Sequence, residues 1–239
     1  MKYLSLLALL FILSSCGGSD PNSVSPVGTL TAYVDLYDEF GNKQSSSDGA
    51  KVTLNNISPK KSGITDKNGR CELLNTNPGK YDIVFSKSGY GDFWMFQVNH
   101  NQRHTSLDAI DLVQTSGTVA SNIKVSFNAA TTQYEVEGTI TPVTADNRWI
   151  RLFIGESNNV SSSNYKYSPQ SVYTVNNGAF KILMNKEEIT SLGIAQGTKF
   201  YAIIYGSPFK YSSYFDPGKK LNLYPSLSAA SNVAEGVVN

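Results

Sequence analysis

The chain has 239 residues, with 20 basic and 19 acidic side chains and a formal net charge of +1. Such a balance lacks the clustered basic face that marks nucleic-acid binding, so nucleic acid is excluded as a partner. Tyr (14) and Phe (11) are abundant, and long apolar patterns with a 3.6-residue period are nearly absent, so the composition favours β structure.

The N-terminal segment has the pattern of an export signal. Lys2 precedes the apolar run Tyr3–Leu13, which as a helix would reach about 16 Å, well short of the roughly 30 Å of a bilayer core. A basic start, a short apolar run and small residues before a cleavage point predict a secretory signal at 1–15. One interpretation of this segment is an ordinary secretory signal that is followed by a cysteine, Cys16, by chance.

The residues Leu13-Ser14-Ser15-Cys16 resemble the lipoprotein signal class. This resemblance implies that Cys16 becomes the first residue of the mature chain and carries a thioether-linked diacylglycerol. The segment 16–26 is then the lipidated cysteine followed by a Gly/Ser/Pro-rich flexible tether. Removal of Lys2 with the signal leaves 19 of the 20 basic residues against 19 acidic ones. The mature chain is therefore expected to be formally neutral.

Residues 27–115 are predicted to form a first β-sandwich. Leu30 and Val34 lie in an alternating apolar–polar run, which is typical of a half-buried strand. Further short alternating runs are separated by turn signals such as Asp66–Gly69. Cys71 lies in one of these runs, so it is interpreted as a small buried hydrophobe rather than a reactive thiol.

Five motifs in this region resemble one family when taken in order. They are Gly28–Leu30 with Asp38–Gly41, Gly49–Leu54, Thr65–Arg70, Pro78–Tyr81 and Lys87–Tyr90, and together they look like the carboxypeptidase-regulatory-like, or transthyretin-like, fold. The resemblance implies a seven-stranded Greek-key sandwich that accompanies enzymes, transporters and adhesins without performing catalysis.

Residues 116–239 are predicted to form a second β-sandwich. The run Trp149–Ile154 is apolar on both faces except for Arg151, which suits a central strand. Asn176-Asn177-Gly178 is a strong hairpin signal. The segment Ile194–Phe200 resembles the crossover before strand F of immunoglobulin-like and fibronectin-III-like sandwiches, which implies a fold of that type.

Three smaller predictions complete this region. Asn185 followed by Glu188 forms a capping-box pattern, which predicts a short helix near 186–192. Leu221–Leu223 is predicted to be the closing strand of the sandwich. The weakly patterned segment 226–239 is predicted to be an irregular tail. The predicted fold class is therefore all-β, with two tandem β-sandwiches after a cleaved signal.

Catalytic patterns are missing from the sequence. Neither a Gly-rich phosphate loop nor a nucleophile elbow is present. His100 and His104 lie in a polar segment, and a catalytic zinc would need a third protein ligand. We therefore predict no catalytic residues, no metal, no cofactor and no enzymatic activity.

Aromatic residues in Ser-rich loops of the second half are the candidate ligand-binding residues, because loops of sandwiches often carry binding sites. They are Tyr165, Tyr167, Tyr211, Tyr214 and Phe215. Flat rings of this kind suit sugar rings or peptide chains. The alternative is that the rings only cover the ends of the sandwich or pack between domains.

The sequence as a whole resembles outer-membrane lipoproteins of the Bacteroidetes type. That resemblance implies a non-catalytic module anchored to the outer membrane by the lipid on Cys16, facing the periplasm or the cell surface. The first functional prediction is docking onto a protein partner in an envelope assembly or uptake system. The alternative is glycan binding through the five aromatic residues.

Overall fold

The computed structural model describes residues 27–169 and 172–239. The predicted signal, Cys16 and the tether lie outside the described residues. The described part contains the following elements: β1 Gly28–Tyr37, β2 Lys51–Leu54, β3 Lys61–Ile64, β4 Arg70–Thr76, β5 Gly79–Ser86, β6 Phe93–His100, β7 His104–Val113, β8 Val119–Asn128, β9 Gln133–Thr141, β10 Arg148–Gly155, β11 Tyr173–Val175, β12 Ala179–Asn185, α1 Lys186–Ser191, β13 Lys199–Ser207, β14 Tyr214–Asp216, β15 Leu221–Leu223 and β16 Ala234–Val237.

The predicted fold class, all-β with β-sandwich architecture, is confirmed. Strands β1–β7 build what we call the N-terminal sandwich, from sheets ordered β4-β1-β7 and β3-β2-β5-β6. Strands β8–β13 and β16 build the C-terminal sandwich, from sheets ordered β11-β10-β13-β16 and β12-β9-β8. Within the described residues, no helix is long and apolar enough to cross a bilayer.

The core of the N-terminal sandwich follows from the period-2 pattern of its strands. In β1, Leu30 and Val34 point inward, and in β5, Ile83 and Phe85 do the same; all four are buried. Strand β1 runs antiparallel to β4 and parallel to β7. The apolar faces of the two sheets therefore meet in one continuous core.

Cys71 belongs to this core. Its side chain is buried, and a Cβ built on Gly63 would lie 2.6 Å from the Cys71 sulfur. Burial is the main cause that raises the pKa of the Cys71 thiol. A neutral thiol in close packing behaves as a small hydrophobe, in line with the interpretation from the sequence.

The two histidines lie in different environments. His100 is buried, with its Nδ1 2.6 Å from the Thr105 hydroxyl and its Nε2 3.2 Å from the Thr76 carbonyl oxygen. His104 is exposed at the start of β7. Among the described residues, no cluster of three or more His, Cys, Asp or Glu side chains has the arrangement of a metal site.

The C-terminal sandwich has its own core, in which Ile150, Leu152 and Phe200 are fully buried. Strand β10 lies between β11 and β13, as a central strand should. The helix predicted near 186–192 spans Lys186–Ser191, and the Glu188 carboxylate accepts a hydrogen bond of 2.7 Å from the Asn185 backbone N–H.

The hairpin predicted at Asn176–Gly178 is wrong, although the turn forms. Asn177 and Gly178 adopt φ angles of 61° and 79°, the left-handed conformation that this turn chemistry favours. However, β11 pairs with β10 while β12 pairs with β9, so the turn carries the chain from one sheet to the other. Turn chemistry fixes a local reversal of the chain but not the partner of each flanking strand.

The predictions for the C-terminal segment are also wrong. Within residues 27–169 and 172–239, Leu221–Leu223 pairs with β14 alone, in a two-stranded hairpin. The strand that closes the sheet is β16, which pairs with β13 and places Ala234 in the core, with Val238 buried just beyond it. The sequence of β16, Ala-Glu-Gly-Val, does not alternate apolar and polar residues, so its register depends on the edge of β13.

An outer layer covers the second face of the β10–β13 sheet. We define it as segments 156–169 and 208–227. Here Phe153, Ile203 and Tyr205 form a separate buried cluster, against which Tyr165 and Tyr224 pack. The central strands of the C-terminal sandwich are therefore buried on both faces. In a two-layer sandwich each sheet buries only one face.

Segment 208–227 of the outer layer is attached to the N-terminal sandwich. The Ser226 hydroxyl donates to the Val113 carbonyl (2.8 Å), and the Ser116 N–H donates to the Ser226 carbonyl (3.0 Å). A Cβ on Gly91 would lie 2.2 Å from the Pro225 oxygen, so only glycine permits this approach. The two sandwiches thus share a close backbone contact at this segment.

Candidate functional site

A concave pocket opens where segment 208–227 crosses the outward face of β10. Its floor is formed by outward side chains of the sheet, and its walls come from residues 208–212 and 224–227. We call it the Arg151 pocket; its volume is ≈ 370 Å³, within the roughly 300–1,000 Å³ typical of ligand sites. Its lining consists of Trp149, Arg151, Val172, Thr174, Ser207, Pro208, Phe209, Lys210, Tyr211, Ser212, Tyr224, Ser226 and Leu227.

The alternation of β10 explains the floor. Ile150 and Leu152 face the C-terminal core, so Trp149 and Arg151 must face the opposite side of the sheet. The register with β13 places Tyr205 across from Arg151, and the register with β11 places Thr174 across from Trp149. A strand that is apolar on its inner face therefore presents a ring and a guanidinium to the pocket.

Arg151 is held tightly at the base of the pocket. Arg151 is only 2% exposed. One of its Nη1–H groups donates a hydrogen bond of 2.5 Å to the Pro169 carbonyl oxygen. The guanidinium carbon lies 3.9 Å from the centroid of the Tyr224 ring and 5.9 Å from that of Tyr211. These distances are those of cation–π contacts, which strengthen when the cation is desolvated.

Burial lowers the pKa of Arg151, while neighbouring tyrosines act in the opposite direction. A guanidinium starts from a pKa above about 12 and is not deprotonated in proteins. The floor of the pocket therefore carries a permanent positive charge in a region of low dielectric constant.

Aromatic rings surround this charge. Phe209 and Tyr211 on the wall are each 56% exposed, and exposed apolar surface grouped at one place marks binding sites. The Trp149 and Phe209 centroids are 4.8 Å apart at an interplanar angle of 46°, and those of Tyr211 and Tyr224 are 6.2 Å apart at 79°. The rings therefore present differently oriented faces around the opening.

The wall at 208–212 rests on the N-terminal sandwich. The Lys210 ammonium lies 2.9 Å from the Asp111 carboxylate and 4.0 Å from the Tyr37 ring centroid. Burial acts to lower the pKa of Lys210, but the hydrogen bond to Asp111 and other contacts leave the pKa raised. The Phe209 N–H donates to the Glu39 carbonyl at 2.8 Å, so both sandwiches fix the position of the wall.

Glu39 also connects the sandwiches through its side chain. One carboxylate oxygen accepts a 2.8 Å hydrogen bond from the Gly117 N–H, and the other lies 3.3 Å from an Arg148 nitrogen. Both members of this ion pair are mostly covered, with side chains 21% and 11% exposed. Arg148 directly precedes Trp149, so the ion pair holds the end of the strand that forms the pocket floor.

The structure distributes the five sequence-predicted residues over several places. Tyr211 lies on the pocket wall. Tyr165 is half-buried beneath the same region, with its hydroxyl donating to the Asn222 carbonyl at 2.7 Å, and burial is the main cause that raises its pKa to about 12. Tyr167 packs on the C-terminal core.

The remaining two predicted residues lie on the β14–β15 hairpin. Tyr214 is half-buried, with its ring 5.5 Å from that of Phe93 in the N-terminal sandwich, and burial is the main cause that raises its pKa to about 12. Phe215 is 56% exposed. Of the five residues, Tyr211 is the one that lines the Arg151 pocket.

Sequence reasoning did not identify Trp149, Arg151, Phe209 or Tyr224 as site residues. The detectable signal was Arg151, a single charge in an otherwise apolar central strand, because a charge is buried only at a high cost in free energy. Phe209 and Tyr224 carry no such signal. Their role depends on how an irregular segment folds back over the sheet.

Comparisons with known proteins give weak structural similarity. No family model matches the sequence, and no curated protein matches it either. A DUF3823 family protein from Parabacteroides merdae shares 14% identity over 88% of this chain and 98% of its own, with a TM-score of 0.34. A candidate carbohydrate-binding protein from Bacteroides uniformis shares 11% identity over 89% and 99%, with a TM-score of 0.35.

A chain of a cohesin–X-dockerin complex from Acetivibrio cellulolyticus is 20% identical over 37% of this chain, with a TM-score of 0.32. The match spans 58% of that chain, which is less than two thirds of its length. At these TM-scores the similarities carry no argument about function. The functional proposal therefore depends on the Arg151 pocket itself.

Proposed function

We propose that the protein is a non-catalytic glycan-binding module of the cell envelope and that the Arg151 pocket receives a sugar ring. The observation that carries this proposal is the combination of concave shape and exposed aromatic walls at one place. Ligand sites are typically apolar, aromatic-lined concavities with a few convergent polar groups. The pocket fits that description in its volume and in its lining.

The walls suit the two kinds of surface that a sugar presents. The C–H faces of a pyranose ring can stack on the exposed rings of Phe209 and Tyr211, which bury apolar area without needing hydrogen bonds. The hydroxyls of Ser207, Ser212 and Ser226 donate to backbone carbonyls. Ser207 and Ser226 are buried, so Ser212, which is half-buried, is the hydroxyl whose oxygen keeps a lone pair with which to accept a hydrogen bond from a sugar hydroxyl.

Docking onto a protein partner is the other function predicted from the sequence. A protein interface of standard size covers about 800 Å² per partner and is broad and shallow. A pocket of ≈ 370 Å³ with a charged floor matches a ring-sized ligand better. We therefore favour glycan binding, which was the alternative in the sequence-based prediction. Of the five aromatic residues named there, Tyr211 is the one that lines the proposed site.

A glycan array with the full-length protein tests this proposal. We expect binding to at least one class of plant, host or bacterial glycan, and a loss of about tenfold or more in Phe209→Ala and Tyr211→Ala, because hot-spot rings contribute at least this much. Phe215→Ala is the matched control, since Phe215 and Tyr211 are each 56% exposed but Phe215 is outside the pocket lining. Silence across all three classes would contradict glycan binding and favour protein docking.

We further propose that a lipid on Cys16 holds this module on the outer membrane. A single acyl chain gives only marginal binding, so the two or three chains of a lipoprotein are needed for stable anchoring. Cys16→Ala should release the protein from the membrane fraction or leave an uncleaved precursor. Unchanged membrane anchoring of a processed Cys16→Ala protein would contradict the proposal.

A further inference from the structure

We propose that the ligand of the Arg151 pocket is an acidic sugar, a uronic acid whose carboxylate is bound by Arg151. This inference rests on the proposed glycan-binding function and specifies its substrate class. It predicts that Arg151 is a specificity-determining residue, which distinguishes the charged sugar from its neutral counterpart.

The charges of the lining support this inference. Two of the lining residues that the structure describes, Arg151 and Lys210, are cationic, and none of the lining residues in 27–169 and 172–239 carries a carboxylate. The Asp111 carboxylate that balances Lys210 belongs to β7, outside the lining. The pocket interior is therefore electropositive, and the buried cation at its floor is Arg151.

The chemistry of the guanidinium favours a carboxylate. Arg presents a planar set of N–H donors that matches a carboxylate, whereas a neutral hydroxyl uses only one donor at a time. The centroid of the Tyr224 ring lies 3.9 Å from the guanidinium carbon, so the ring covers one side of this group. Because the residue is 2% exposed, an anion placed against it interacts with little screening by solvent.

The rings and the charge are arranged for one ligand that has both features. Phe209 and Tyr211 flank the opening, whereas Arg151 lies on the floor. A uronic acid has an apolar ring face beside a carboxylate on C5, so stacking and charge recognition can occur in the same molecule.

Calorimetric titration of the full-length protein can test this with three probes that share one backbone. The probes are a galacturonic acid trisaccharide, its methyl ester and a sulfated galactose trisaccharide. We expect the acid to bind at least about tenfold more tightly than the ester, which is the effect of one hydrogen bond to a charged group. We also expect the acid to bind more tightly than the sulfated sugar.

Variants then assign the effect to Arg151. Arg151→Met should reduce the acid-to-ester ratio of affinities to about one, because the charge is lost while similar bulk remains. Arg103→Met is the control, since Arg103 is exposed and not part of the lining; its ratio should equal that of the wild type. If Arg151 only supported Tyr224 and Pro169, Arg151→Met would weaken acid and ester equally and leave the ratio unchanged.

The outcomes separate the two proposals. Equal affinity for acid and ester, or preference for the sulfated sugar, would overturn the inference about the carboxylate while leaving glycan binding intact. Failure of all three probes while a neutral glycan binds on the array would also overturn the inference, and silence of both the probes and the array would overturn the glycan-binding proposal itself. If Arg151→Met does not fold, the wild-type ratio together with Lys210→Met decides the inference, because Lys210 is the other cation of the lining and its loss should leave the ratio unchanged.

Discussion

The two sandwiches differ in how they treat the outward faces of their sheets. In the N-terminal sandwich, β5 alternates between buried residues such as Ile83 and Phe85 and half-buried ones such as Val84. In the C-terminal sandwich, β10 is buried on both sides from Ile150 to Gly155, because the outer layer covers its second face. The third layer creates a concave surface that a simple two-layer sandwich does not have.

The comparison also changes the role of the N-terminal sandwich. The family resemblance found in the sequence implies only a module that accompanies other domains without performing catalysis. In the structure, its residues Glu39 and Asp111 contact the pocket wall and the end of the floor strand. We infer that the C-terminal sandwich carries the pocket and that the N-terminal sandwich fixes its shape. Precise binding sites need supporting residues of this kind, which hold the ligand-contacting side chains in place.

The largest expected effect concerns the outer layer as a packed core. Phe153→Ala should lower the free energy of unfolding by about 3–5 kcal/mol, because it removes a fully buried ring and leaves a cavity. Phe85→Ala in the N-terminal core should cost a similar amount. Urea unfolding followed by circular dichroism measures both.

Phe215→Ala is the control for this comparison. Its ring is 56% exposed, so we expect a change within about 0.5 kcal/mol. If Phe153→Ala were as mild as Phe215→Ala, the outer layer would be a loose cover rather than a third packed layer.

A smaller effect should follow from loosening the contact between the sandwiches. Glu39→Gln keeps the size of the side chain but removes the charge that pairs with Arg148 and accepts from the Gly117 N–H. We expect a loss of about 1.5–3 kcal/mol in the free energy of unfolding, the range for hydrogen bonds to charged groups. Trp149, next to Arg148, should report the change through its fluorescence during urea unfolding.

Glu72→Gln provides the matched control for Glu39→Gln. Glu72 pairs with Arg70 on the surface, with side chains 36% and 44% exposed, and exposed pairs contribute about 0–1 kcal/mol. An equal response of the two variants would show that Glu39 is an ordinary surface charge and that the sandwiches are not coupled through it.

The strands with several alternating residues were predictable from the sequence, because burial on one face imposes a period of two. The pattern of β1 and the both-faced apolar run of β10 are examples. The site was harder to predict, because Phe209 and Tyr224 reach the pocket through an irregular segment whose path depends on distant contacts. Pairing of short strands such as β16 failed for the same reason, since the edge of β13 and not local sequence selects the partner.

The smallest expected effect concerns alkaline pH. Burial of Tyr165 raises its pKa from 10.0 to about 12, so the folded state favours the neutral phenol. The resulting stability is fully present below pH 10 and is lost as the pH rises towards 12, because the unfolded chain ionises first. Tyr165→Phe should therefore make the fall in melting temperature between pH 10 and 12 shallower, as measured by thermal unfolding.

Tyr201→Phe is the control, because its ring also packs on the outer-layer cluster. If both variants gave the wild-type slope, the Tyr165 phenol would be solvated, and the outer layer would not exclude water beside Arg151.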